Sequence, residues 1–324
     1  MCGPLPSLRR CHKPYKLAAW RHAIPEQTLG ALAALLTALV WSFTALFFTL
    51  ASDRVGALAV NRTRLLFAVL LLGCAHWALY GTPLPTGALP PSWFWLGLSG
   101  IIGLALGDTF LFQALVDLGP RKAMLVMSSW PIVSAFLAFL FLGEGLGLRE
   151  VLGICLTVAG IAWVVLERNP ERQGPVRTER LRRGILMAAG GAICQAAGLV
   201  AAKQGLTGGL PALSGTLIRM LAATASIWLI TAAMGGVREN FGKFRDRRAL
   251  LFTVCGSVTG PFIGVWMSLY AVNHTKVAIA SALMATVPIL LLPIMFVVHR
   301  ERVSYRAAFG TVASFAGVLV LLWK

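Results

Sequence analysis

Charge is scarce in this sequence. Asp, Glu, Lys and Arg make up 13% of the residues, and only 12 residues are acidic against 29 basic. A water-soluble chain of 324 residues needs charge spread over its surface, and here the charges bunch in short segments between apolar runs. Several motifs are absent as well. Without GxxxxGK[ST] there is no phosphate-cradling loop, which excludes ATP-driven pumping by that device. Neither HExxH nor GxSxG occurs, so the helix-borne zinc site and the nucleophile elbow are excluded. The six cysteines form no CxxC and no Cys/His cluster at metal spacing, so no metal and no cofactor is expected. Cys2 and Cys11 lie in the N-terminal tail. Cys74, Cys155, Cys194 and Cys255 each stand alone in an apolar run and read as small buried residues. No segment outside those runs is longer than the tail, which leaves no room for a soluble catalytic domain.

What fills the chain is apolar: 57% hydrophobic residues and a mean hydropathy of +0.77. Ten runs can be read, at 29–51, 57–79, 92–115, 122–143, 147–166, 184–205, 213–234, 250–271, 275–298 and 304–323. Each is close to the roughly 20 residues that carry an α-helix across about 30 Å of hydrocarbon. The expected fold is therefore all-α and integral to the membrane, with ten transmembrane helices. An even count puts both termini on one side. Residues 1–28 form a basic tail (Arg9, Arg10, Lys13, Lys16, Arg21) with no apolar core of its own, so it does not read as a cleaved signal peptide. Residues 168–183 are Arg-rich, contain Pro170 and Pro175, and read as a linker. Trp20, Trp93, Trp95 and Trp323 fall near run ends, where indoles favour the membrane interface. The net charge of +17 would suit nucleic acid in a soluble protein. Here the basic residues flank spans and face lipid head groups, so the expected partner is the bilayer and not nucleic acid. The sequons at Asn61 and Asn273 lie at or inside span ends, where glycosylation is not expected.

The two halves, 29–167 and 184–324, match each other. At an offset of 157 no gap is needed from Gly103 to Gly160. Gly103 meets Gly260, Gly107 meets Gly264, Pro131 meets Pro288, Glu144 meets Glu301, Arg149 meets Arg306, and Gly160 meets Gly317. Nearer the start the offset is 154 to 155, pairing Trp41 with Gln195 and Arg64 with Arg219. Five spans per half is odd, so the second half enters from the opposite side and the repeat is inverted. This is an architecture of secondary transporters. Each half resembles the EamA domain of the drug/metabolite transporter superfamily. The resemblance rests on Pro131, Leu142-Gly143-Glu144, Gly153 and Gly160 in the first half, and on Pro288, Glu301, Gly310 and Gly317 in the second. The second turn, His299-Arg300-Glu301-Arg302, lacks the Leu-Gly. The resemblance implies a ten-helix fold and transport of a small metabolite, without naming one.

Asp108 is the first candidate for chemistry. A carboxylate so far inside an apolar run must face the interior, pair with a cation or hold a proton, and it could couple transport to protons. Val265 stands at its repeat position. Arg64 and Arg219, each about two turns into a span, could bind a substrate carboxylate or phosphate, or anchor helix depth. Lys203 is a further candidate near a span end. Trp41, Gln195, Ser128, Ser129, Trp130 and Thr286 are candidates to line a cavity. Pro131 and Pro288, near mid-span, should kink their helices and could act as hinges. Gly103, Gly107, Gly260 and Gly264 lie on small-residue faces that let helices approach. Glu144 and Glu301 should cap the N-terminus of the helix that follows each.

Orientation divides two readings. The side with the termini carries eight Lys and Arg, the other side seventeen, and four lie within spans. The charge rule then places the linker in the cytoplasm and the termini outside. The family pattern places the termini in the cytoplasm. The expected function is secondary transport by alternating access, expected in a bacterial plasma membrane. A membrane-embedded lipid-modifying enzyme and a non-transporting scaffold are the alternatives.

Overall fold

The computed structural model describes residues 25–167, 178–291 and 305–323. Eight helices in it are long and apolar enough to cross a membrane: α1 Glu26–Val55, α2 Ala57–Tyr80, α3 Pro90–Leu118, α4 Lys122–Leu142, α5 Leu148–Leu166, α6 Glu179–Leu206, α7 Ala212–Ala233 and α8 Arg247–His274. Two shorter apolar helices follow, α9 Val277–Leu291 and α10 Ala308–Leu322. No strand occurs among the described residues. Their outer surface is a belt of large apolar side chains, among them Leu70, Phe136, Phe139, Phe141, Leu229 and Phe309. A belt that wide marks a surface solvated by lipid.

Several features depart from the sequence reading. Residues 179–183, taken above as linker, are the first turns of α6. A short helix, Val237–Lys243, sits between α7 and α8. Cys74 and Cys155 are exposed, while Cys194 and Cys255 are half-buried, so the expectation that these four are buried is corrected. In lipid, the outward face of a helix is as apolar as its inward face, and apolar surroundings in sequence do not imply burial.

The proline and glycine expectations also change. Pro131 and Pro288 do not kink continuous helices. α4 breaks at Ser128–Ser129 and restarts at Trp130, and α9 breaks at Ala285–Thr286 and restarts at 287. Each proline therefore lies in the first turn of a new segment, where its missing N–H leaves no bond unmade. Gly103 and Gly107 lie in a π-helical stretch of α3, Gly100–Gly107, and Gly260 and Gly264 in the matching stretch of α8, Val258–Gly264. In a π-helical stretch the residues that share a face differ from those of an α-helix, so the expected small-residue faces do not hold there. Pro261 lies inside the second stretch, but the equivalent residue in the first is Leu104. Proline is thus not the common cause of the wide turns.

The halves interlock. The start of each half packs against the third helix of the other: α1 lies along α8, and α6 along α3. α5 and α10 cross on bare glycine backbone. A Cβ on Gly160 would come within 2.7 Å of the Gly310 carbonyl, and one on Gly317 within 2.8 Å of that of Gly153. At the offset of 157, Gly160 maps onto Gly317 and Gly153 onto Gly310, so the two contacts are one contact seen twice. That is the signature of a two-fold relation between the halves.

We call the end of the bundle where α1 begins the near end, and the opposite end the far end. One large apolar core joins both halves around the middle and near end, including Ala34, Leu96, Ala138, Leu206, Leu213, Val277 and Leu321. Toward the far end the described core divides into three clusters: α1, α2 and α8; α3, α4 and α6; and α4, α5 and α9.

Candidate functional site

The glycine-rich π stretch of α3 ends at Gly107, and Asp108 follows it. Asp108 is 7% exposed. Its carboxylate accepts a hydrogen bond from Arg64 Nη2 on α2 and a weak one, at 3.4 Å, from Gln195 Nε2 on α6. Arg64, 8% exposed, also donates from Nε to Asn61 Oδ1 at 2.8 Å, one turn earlier on α2. Its guanidinium carbon lies 5.6 Å from the centre of the Phe48 ring, within reach of a cation–π attraction. An isolated charge at this depth costs about 2.5–3.5 kcal/mol to insert, and pairing is what makes both ions tolerable.

Arg219 on α7 is more deeply buried, at 3% exposure. Its Nε has no partner, and its guanidinium makes no hydrogen bond or ion pair with any described residue. Two glycines make room for it. A Cβ on Gly100 would lie 3.0 Å from the Cα of Arg219, so the α7 backbone passes where a side chain would be. A Cβ on Gly103 would lie 3.4 Å from Arg219 Nη2, 3.5 Å from Gly198 Cα and 3.7 Å from Gln195 Oε1. The guanidinium thus lies over Gly103 beside Gln195.

The repeat explains why Arg219 lacks a partner. The mate of the Arg64–Asp108 pair is Arg219 with Val265, and valine offers no charge. The mate of Gln195 is Trp41, whose indole lies over Gly264 as the backbone of Gln195 lies over Gly107. The scaffold is repeated and its chemistry is not.

A second cluster closes the near end. Lys203 at the end of α6 pairs with Glu144 in the α4–α5 turn and donates to the Thr275 carbonyl at 2.8 Å. Lys276 in the α8–α9 turn pairs with Glu150 at 2.7 Å and donates to the Gly145 carbonyl at 2.9 Å. The other Glu144 oxygen accepts from the Val277 backbone N–H at 2.8 Å. Glu144 therefore caps α9 in the other half. This corrects the expectation that it caps the next helix, α5, where Glu150 accepts from the Gly147 N–H at 2.8 Å instead.

The structure thus joins Arg64, Asp108 and Gln195 by hydrogen bonds, sets Arg219 beside Gln195 over Gly103, and places Lys203 and Glu144 at the near end. Ser128, Ser129 and Thr286 lie at the helix breaks, where each hydroxyl donates to a carbonyl of its own helix at 2.7 Å. Trp130 packs against the apolar core beside the first of these breaks. Glu301 lies outside the described residues. Sequence reasoning missed Asn61, Glu150 and Lys276. Asn61 lies three residues before Arg64 and so shares its helical face, a usable signal. Glu150 and Lys276 sit at span ends, where charges are ordinary.

The comparisons with known proteins follow from this geometry. A family model described as the EamA-like transporter family matches residues 28–166 and again 182–323. A solved structure, described only as the crystal structure of a protein, is 22% identical with a TM-score of 0.70, covering 90% of this chain and 96% of its own. That likeness shows the fold. No curated protein matches the sequence. The two family matches fall on the two repeats and leave only the tail, the linker and a terminal residue uncovered. This chain, an integral multi-pass membrane protein, belongs to the EamA-like transporter family.

Proposed function

We propose that the protein is a secondary transporter of a small organic solute. It works by alternating access between two inverted five-helix halves, with proton coupling through Asp108. The observation that carries the reading is the position of Arg64, Asp108 and Arg219. These are buried charges contributed by both halves and held where α2, α3, α6 and α7 meet. Intramembrane ionisable groups facing a bundle interior mark solute and proton paths. The ion pairs and the apolar core that hold the near end together are what one state of an alternating carrier requires. An acid that pairs with Arg64 can take up a proton when the pair opens, which links protonation to the state of the carrier.

The test is flux in vesicles reconstituted with purified protein, using solutes picked from a metabolite panel by their stabilisation of the protein. Flux above that of empty vesicles, responding to an imposed pH gradient and losing that response in Asp108→Asn, is expected. Normal transport by Asp108→Asn, with indifference to the gradient, removes proton coupling. Flux no greater than that of empty vesicles removes transport altogether.

A further inference from the structure

We infer that the solute carries a single carboxylate and that Arg219 is the residue that receives it. The inference rests on the transporter reading of the same site and names its substrate class. Two guanidinium groups and one carboxylate meet there, which leaves one positive charge in excess. The excess belongs to Arg219, because Arg64 already holds Asp108 and Asn61 while Arg219 holds nothing among the described residues. A guanidinium presents donors in a planar fork that matches a carboxylate. Its Nη2 lies over Gly103, which has no side chain of its own to fill that space, and Gln195 Oε1 lies over the same glycine. One missing negative charge selects a monoanion, since a phosphate dianion would carry more charge than the site lacks. At the repeat position of Asp108, Val265 leaves a vacancy in charge that the solute would fill on arrival.

Val265 also supplies the test. In purified full-length protein, the thermal midpoint is followed against acetate, butyrate and phenylacetate, against the matching uncharged amides, and against methyl phosphate. At least one carboxylate should raise the midpoint while its amide does not. Arg219→Gln should weaken that response at least tenfold in half-saturating concentration. Val265→Asp puts an acid at the position that Asp108 holds relative to Arg64 in the other half, as a counter-ion for Arg219. It should abolish the response while melting no lower than the wild type, so the test survives if Arg219→Gln does not fold. The inference is overturned if no carboxylate acts, if amides act equally, if methyl phosphate is preferred, or if Val265→Asp responds as the wild type does. A neutral solute that binds and crosses vesicles would overturn it and leave the transporter reading standing. A carboxylate that binds but is never carried would do the reverse.

Discussion

Arg64 and Arg219 are one residue twice in the repeat, yet they differ in what surrounds them. The difference comes from a single position, where one half has Asp108 and the other Val265. Breaking a buried pair by removing one partner is far more damaging than removing both, on the order of 3–5 kcal/mol for the single change. Asp108→Asn and Arg64→Gln should each lower unfolding stability sharply, and the double variant should recover a good part of the loss. Denaturant unfolding in micelles measures it, and strictly additive losses would count against a mutual pair. Asp108 was legible in the sequence because an acid in an apolar run is conspicuous, and the two arginines because the repeat offset aligned them. Which arginine takes the acid was not legible. That depends on how α2 and α7 pack against the π stretch of α3, which periodicity does not encode.

Among the helices, α5 and α10 depend on each other most closely. A Cβ on Gly160 would lie 2.5 Å from Ser314 N, a backbone atom that cannot step aside. Gly160→Ala should therefore separate the two helices and destabilise by about 1–3 kcal/mol. Gly145→Ala, in open space in the α4–α5 turn, should leave the unfolding midpoint unchanged. The start of α8 gives a pH-dependent prediction. Asp246 accepts from the Arg248 and Ala249 backbone N–H groups and pairs with Arg54 at 2.7 Å. The Arg54 hydrogen bond, followed by that from Ala249, holds its carboxyl below the usual 3.8. A lowered folded-state pKa means that its stabilisation is complete above about 3.8 and is lost as pH falls through the folded value. Asp246→Asn keeps a good capping residue but should flatten this acid branch of a stability–pH curve. An unchanged acid branch would rule the group out. The helices themselves were legible from run length. The breaks at Ser128 and Thr286 were not, because a proline that kinks and a proline that begins a segment look alike in sequence.

For the molecule as a whole, the near end is fastened by ion pairs between the two halves. Glu144, Glu150, Lys203 and Lys276 tie the α4–α5 turn and α5 of the first half to α6 and the α8–α9 turn of the second. Replacing Lys203 and Lys276 with Ala should loosen that end. A cysteine at the fully buried Ala34, with the native cysteines replaced, should then react faster with a water-soluble thiol reagent than in the otherwise unmodified protein. Equal rates would show that apolar packing alone keeps the end shut. The repeat positions of Lys203, Lys276 and Glu150 are Thr49, Gly119 and Ala307, which carry no charge. Those three members of the ion cluster are thus not repeated in the other half, and in the proposed alternating carrier the two closed forms would be unequal in energy. Because the apparent dissociation constant is the intrinsic one divided by the fraction of molecules that present the site, half-saturation in the proposed carrier would differ between the two faces of the membrane. Salt, which screens the exposed part of the ion cluster, would narrow that difference and make the proposed carrier less one-sided.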